Sequence, residues 1–183
     1  TDGKGKLKKE FQTGYVLPLA FGLAEGAERE SMAQNLDRLV RERGYHLSTG
    51  FTGTPHILFA LADGGKAETA YKLLLQDTAP SWLACIKEGA TTTWEEWTID
   101  PKKEGNIPSY NHYAYGVVGD FLYRRVAGIE PMEGGYKEFS VRPVPGGGLT
   151  YAKASVKTPY GMAASEWHLD GGKFSLKVTV PVS

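Results

Sequence analysis

Two patterns of apolar and polar positions divide the chain near residue 130. Before it, apolar residues recur three and four apart, or fill nearly every position, in runs closed by glycine; after it, they alternate with polar residues in short runs closed by turn clusters. The run 14–24, GYVLPLAFGLA, is apolar on nearly every side and predicts a buried helix with Pro18 near its start. In 27–44, Met32, Leu36, Leu39 and Val40 recur at helical spacing, Asp37 can pair with Arg41 one turn on, and Gly44 is a stop. The run 53–65 predicts a helix with Thr54 as N-cap and Pro55 at the first helical position, ended by Gly64 and Gly65. Further helices are predicted over 66–78, 80–89 and 109–126, the last strongly apolar through Tyr110, Ala114, Val117, Phe121 and Leu122. Helices joined by short glycine-marked loops predict packed antiparallel pairs.

After Pro131 about four short strands are predicted, separated by turns at Pro145–Gly148, Pro159–Gly161 and Asp170–Gly172. Phe174, Leu176, Val178 and Val180 alternate strictly with Ser175, Lys177 and Thr179, which predicts a half-buried strand. The PGGG and DGGK clusters are turns, because neither opens a helix with the remainder of a phosphate loop. The expected organisation is therefore a helical domain over 1–130 and a strand-rich domain over 131–183.

Composition narrows the function. Lys plus Arg and Asp plus Glu both number 21, so the net charge is zero. That argues against nucleic-acid and membrane surfaces, where a basic excess is expected. The lysines between Lys4 and Lys9 read as a solvated tail. The single cysteine, Cys85, excludes an intrachain disulfide, and its apolar neighbours suit a small buried thiol. Together with the net charge it fits a reducing cytoplasm. No apolar run approaches the ~18 residues of a membrane span. The chain does not begin with Met, and the expectation is a fragment. Gly-x-Ser-x-Gly, His-Glu-x-x-His and paired cysteines are absent, so neither serine hydrolysis nor zinc finds support; no metal and no cofactor are expected.

The sequence concentrates its chemistry in ATTTWEEW, Ala90–Trp97, and SYNHYAYG, Ser109–Gly116. Tryptophan offers a flat plate that stacks on the C–H faces of sugars. A carboxylate beside such plates loses hydration and becomes a usable base. Sugar hydrolysis needs two carboxyls, one acid and one base or nucleophile. The plain alternative is that Trp94 and Trp97 are core and that Glu95 and Glu96 merely alternate in exposure; both readings are open on this string alone. His112 shares a helical face with Gly116, Gly119 and Tyr123, which suits either a hydrogen-bonded core histidine or one that addresses a cavity. His46 and His56 carry weaker signals, and His168, in an expected strand, reads as structural.

Four segments in order, TGFTGTPHILFAL (49–61), GATTTWEEW (89–97), NHYAYGVVGDFLYRRVAGI (111–129) and FSVRPVPGGGLTYAKASVKTPYG (139–161), carry a family resemblance. Together they resemble the C-terminal portion of the bacterial α-L-rhamnosidases, inverting enzymes of glycoside hydrolase family 78, from about Thr13 nearly to the end. The resemblance implies the second half of an (α/α)6 barrel followed by part of an antiparallel β-sandwich. It implies Glu95 as general base, His112 as a contact to bound rhamnose, and Trp94 and Trp97 as part of the sugar pocket. Glu96 is expected to point away from substrate. The substrates implied are L-rhamnosides.

The chain also departs from the family. About six helices are predicted where a barrel needs about twelve, and the acid-rich segment that supplies the family's general acid has no counterpart; Glu10, Glu25, Glu28, Glu30 and Asp37 sit on helix ends or polar faces. The expectation is a chain with the base but not the acid, inactive alone, self-associating or domain-swapped through exposed half-barrel surface. The competing class is a carbohydrate-binding module using Trp167, Tyr151 and Tyr160. A third reading is another barrel-type sugar enzyme, a lyase or a different α-glycosidase, which would keep the Trp94–Trp97 cluster without matching the NHYAYG and RPVPGGGL segments.

Overall fold

The computed structural model describes residues 1–97 and 108–182, which fall in two compact units, Thr1–Val117 and Val118–Ser183. The first unit is helical: α1 (Gln12–Ala20), α2 (Gly26–Glu42), α3 (Thr54–Asp63), α4 (Ala67–Leu74), α5 (Trp82–Lys87) and the short α6 (Tyr113–Gly116). α1 packs on both α2 and α3, and α3 on α4, as the short loops require.

The helical period decides the core. Met32, Leu36 and Val40 of α2 are buried, with Tyr15, Val16 and Leu19 of α1 and Ile57 and Leu61 of α3. Leu39, one position off that stripe, is only half-buried. The predicted pair forms: Arg41 Nε donates to Asp37 at 2.9 Å. Asp37 also accepts the Thr69 hydroxyl from α4. Gln12, almost wholly buried, donates to His46 O at 3.0 Å and accepts Ser48 N–H at 2.8 Å, so its burial leaves no polar atom unpaired.

Three local expectations shift. α1 is buried on one side only, and Phe21 and Leu23 lie past its end in solvent. Thr54 is the first residue of α3 rather than its cap; its hydroxyl pairs with Thr49 Oγ1 at 2.7 Å and ties down the preceding loop. The lysine-rich start keeps its charged groups in solvent, but its backbone is folded: Asp2 Oδ1 accepts Lys4 N and Lys6 N, and Gly5 sits where a Cβ would lie 2.7 Å from Glu28 O.

In the second unit, the predicted long helix continues as α7 (Val118–Phe121) and then a π-helical turn, Leu122–Val126, closed by Ala127 N–H on Leu122 O at 2.8 Å. Gly128, φ +88°, turns the chain out; a Cβ there would stand 2.2 Å from Pro143 N. β1 (Ile129–Pro131) and β2 (Phe139–Val141) pair antiparallel around a 3₁₀ turn, Gly134–Tyr136. β3 (Tyr151–Thr158), β4 (Gly161–Asp170) and β5 (Lys173–Thr179) form an antiparallel sheet in that order.

The register explains where this sheet is covered. Trp167 lies opposite Ala152 and Leu176, Ser165 opposite Ala154 and Val178. One face therefore carries Ala152, Ala154 and Val156, then Ala163, Ser165 and Trp167, then Val178, Leu176 and Phe174. On its central strand Ala163, Ser165 and Trp167 are fully buried, with Trp167 Nε1 donating to Val126 O at 2.8 Å and Ser165 Oγ to Ala127 O at 2.7 Å. Phe174, Leu176 and Val178 remain 44%, 41% and 39% exposed, so β5 alternates as expected but is not half-buried. Among the described residues it pairs on one edge only, and cover fades from β4 outward.

Glu130 links these layers. Arg124 Nη2 donates to its Oε1 at 2.7 Å and Arg125 Nη1 to its Oε2 at 2.8 Å. Burial opposes ionisation of Glu130, but the two arginines outweigh it and hold the carboxyl below its ordinary value of 4.5. A depressed folded-state pKa stabilises the fold above the unfolded value and is lost as pH falls through the folded one. Thermal unfolding is therefore expected to show wild type losing stability below about pH 4.5 more steeply than Glu130→Gln. At neutral pH that variant should be about 1.5–3 kcal/mol less stable.

Candidate functional site

Two backbone segments of the first unit are pinned side by side. His112 N–H donates to Thr93 O at 2.7 Å, and Glu95 N–H to Ser109 O at 2.9 Å. The Thr92 hydroxyl donates to Tyr110 O. These bonds fix the ATTTWEEW segment against the stretch that leads into α6. At position 116 a Cβ would come within 3.1 Å of Thr93 Oγ1, so Gly116 allows the close approach.

The Glu95 carboxylate is half-buried and accepts the Ser109 amide on Oε2 at 2.7 Å. A charge-assisted bond from a rigid donor orients the carboxylate and leaves lone pairs free for a second proton donor. Glu96 is exposed.

His112 caps α6: its Nδ1 accepts Ala114 N–H at 3.3 Å. In the neutral ring Nε2 then carries the proton and donates. Phe51 lies flat against the imidazole, centroids 4.6 Å apart and planes at 14°, and Tyr113 stacks nearby at 5.4 Å. Trp97 stacks on Tyr115 at 4.1 Å and meets Trp82 edge-on at 5.5 Å. Trp82 Nε1 donates to Tyr115 O at 2.9 Å, and Cys85 Sγ to Trp97 O at 3.3 Å. Cys85 is thus the expected buried thiol, and burial pushes its pKa up. Trp94 meets Tyr110 edge-on at 5.8 Å and is half-buried.

Tyr115 is the hub. It stacks on Trp97, touches Phe51, and has its phenol pushed up by burial, with the Glu95 and Glu96 charges adding to the shift. Trp97 and Phe51 therefore pack on one buried tyrosine, and Phe51 carries the contact on to His112. The arrangement joins an oriented carboxylate, an imidazole donor and an aromatic wall, which suits removing a proton beside a hydroxyl-rich ligand. Sequence reasoning missed Phe51, Ser109 and Tyr115. The TGF and NHYAYG segments held two of them, but the Ser109 contribution is a main-chain amide with no side-chain signature.

The remaining candidates disperse. His46 bonds Arg43 O at 2.9 Å and Thr78 Oγ1 at 2.8 Å, and the exposed His168 contacts Glu166 and stacks on Tyr151. His56 meets Phe21 edge-on at 5.3 Å. Trp167 is fully buried and cannot serve as a binding plate, whereas Tyr151 and Tyr160 are exposed. Among the described residues no group of three potential metal ligands occurs, and no helix is long and apolar enough to cross a membrane. Two clefts lined by described residues, one of about 460 Å³ at Glu10, Leu39 and Arg43 and one of about 440 Å³ at Tyr123 and Tyr136, include neither Glu95 nor His112.

Comparison with known proteins covers nearly the whole chain. Residues 1–126 match the bacterial alpha-L-rhamnosidase 6 hairpin glycosidase domain and 128–183 the bacterial alpha-L-rhamnosidase C-terminal domain. An alpha-L-rhamnosidase of Formosa agariphila is 43% identical over 98% of this chain and 20% of its own length. One from Streptomyces avermitilis is 42% identical over 97% of this chain and 18% of its own length. The crystal structure of the S. avermitilis enzyme complexed with L-rhamnose superposes at a TM-score of 0.90 over 97% of this chain and 18% of that one, at 42% identity. That of the Aspergillus terreus enzyme superposes at 0.92, at 38% identity, over 97% of this chain and 21% of that one. The chain spans about a fifth of the relatives it matches.

Proposed function

Because this chain belongs to the bacterial α-L-rhamnosidase family, contributing helices of its six-hairpin glycosidase domain and strands of its C-terminal domain, we propose that it forms part of an enzyme that hydrolyses terminal α-L-rhamnosides with inversion. Glu95 is the general base. Water attacks the anomeric carbon while Glu95 takes one of its protons. The bond from that carbon to the glycosidic oxygen breaks, and the leaving oxygen takes its electron pair and a proton from an acid. None of the acids in this chain stands in a matching motif, so the acid comes from the remainder of the barrel.

The observation that carries this reading is the Glu95 carboxylate, half-buried and aimed by the Ser109 amide beside the Tyr115 cluster. His112 Nε2 donates to a sugar hydroxyl, and Trp94 and Trp97 build the pocket wall. Inversion fits a base set about 6.5–9.5 Å from the acid, with water and the anomeric carbon between them.

The test is the stereochemistry of the first product. With the upstream half restored, proton NMR of 4-nitrophenyl α-L-rhamnoside turnover is expected to show β-L-rhamnose before mutarotation. Initial α-L-rhamnose would mean a retaining mechanism, with Glu95 in another role. The 183-residue chain by itself is expected to show no turnover, since half of the acid–base pair is missing.

A further inference from the structure

A histidine cannot fix the plane of its own ring. Its last torsion is broad and roughly twofold, so the backbone at the start of α6 leaves the His112 imidazole free to swing. The bond from Ala114 N–H to Nδ1 is long, 3.3 Å; it selects between the two flips of the ring but holds the plane loosely. Phe51 supplies the missing restraint, with its ring 4.6 Å from the imidazole at an interplanar angle of 14°. We propose that Phe51 is a positioning residue: its face sets the plane of His112, so that Nε2–H meets a sugar hydroxyl. The proposal rests on the reading of His112 as a contact to bound rhamnose.

Phe51 can act this way because the turn that carries it is locked. Gly50 O accepts both Gly53 N–H at 3.1 Å and Thr54 N–H at 2.9 Å. The Thr49 and Thr54 hydroxyls, both buried, bond each other at 2.7 Å. Gly53 is packed so closely that a Cβ there would stand 2.7 Å from Thr13 Oγ1. Phe51 lies inside this turn, and its ring also meets Tyr115, at 5.4 Å and 54°. Tyr115 is buried, and its carbonyl accepts Trp82 Nε1–H at 2.9 Å, so the second support is fixed as well.

Core packing does not account for the ring. Phe51 is 45% exposed, so an apolar group on a rigid turn stands half in water with its face on an imidazole. Stacked aromatic pairs hold each other beyond the area they bury. Tyr113 also runs parallel to the imidazole, at 10° and 5.4 Å, but it is far more exposed and so less restrained.

¹⁵N NMR of the His112 ring in the 183-residue chain tests the positioning step without any turnover. In mildly alkaline buffer wild type is expected to show one neutral tautomer, with the proton on Nε2. Phe51→Leu should let the ring swing from Ala114 and move both nitrogen shifts toward the mixed values of a free neutral imidazole. Phe51→Tyr keeps the stacking face and should retain the wild-type shifts. Kinetics of the barrel completed by its upstream half tests the consequence. Phe51→Leu is expected to raise KM for 4-nitrophenyl α-L-rhamnoside about two- to tenfold, the worth of one neutral hydrogen bond, with kcat little changed. In a His112→Ala background the same substitution should alter KM by less than about twofold, because it acts only through the imidazole. The proposal is overturned if Phe51→Leu leaves the nitrogen shifts as in wild type, or if Phe51→Tyr alters them as much. It is also overturned if the effect on KM is as large without His112 as with it, which would make Phe51 a direct wall of the pocket. A completed barrel that does not hydrolyse the rhamnoside sinks the rhamnosidase reading instead, and the nitrogen shifts still decide whether Phe51 sets the ring.

Discussion

Glu95→Gln, placed in a barrel completed by its upstream half, is expected to lower kcat on an α-L-rhamnoside by about 10²–10⁴-fold, with KM little changed. The substitution keeps the side chain's length, and the amide oxygen of glutamine can still accept the Ser109 N–H, so the loop should hold its shape. What disappears is the capacity to take a proton from water as the new bond forms. Glu95→Ala opens room for a small anion that needs no base. With azide it should regain turnover and yield the β-rhamnosyl azide, since attack comes from the face the water used. Undiminished turnover by the glutamine variant, or an α-configured azide, would remove Glu95 from the role of base.

The second large effect concerns stability. Trp167→Ala should destabilise the second unit by about 3–5 kcal/mol, because the indole is fully buried and its loss leaves a cavity. That is a large share of the roughly 5–15 kcal/mol by which domains are stable. Trp167→Phe keeps an aromatic ring but removes the donor to Val126 O, leaving a buried carbonyl unpaired at about 1–3 kcal/mol. Urea unfolding followed by far-ultraviolet circular dichroism should rank wild type above Phe and Phe above Ala. An alanine variant within about 1 kcal/mol of wild type would mean that the indole does not anchor the sheet.

What could be read from the residues, and what could not, follows from the range of each interaction. α2 was legible because its stripe and its Asp37–Arg41 pair are local, within one or two turns. The β3–β4–β5 meander was legible because Pro159–Tyr160 and Gly171–Gly172 punctuate it. Glu95 and His112 stood out through the segments around them, and the structure brings those segments together by direct backbone bonds. The break at Val117 escaped notice because apolar spacing continues through it, while the change to a π turn is a matter of hydrogen-bond register. β5 misled because alternation reports that a strand has two faces, not that either is covered. Trp167 misled likewise: only the pairing register and its bond to Val126 turn it inward. Phe51, some sixty residues before His112 in the chain, has no local reason to meet it.

The donor that aims Glu95 belongs to the peptide chain rather than to a side chain. Almost any amino acid at 109 would supply the same N–H; only proline would delete it. Exchange of the serine would cost the bond that its hydroxyl accepts from Asn111 N–H at 3.2 Å, but not the one to the carboxylate. A position that aims the proposed base through its main chain alone can thus change its side chain, and a search for invariant letters would pass it by.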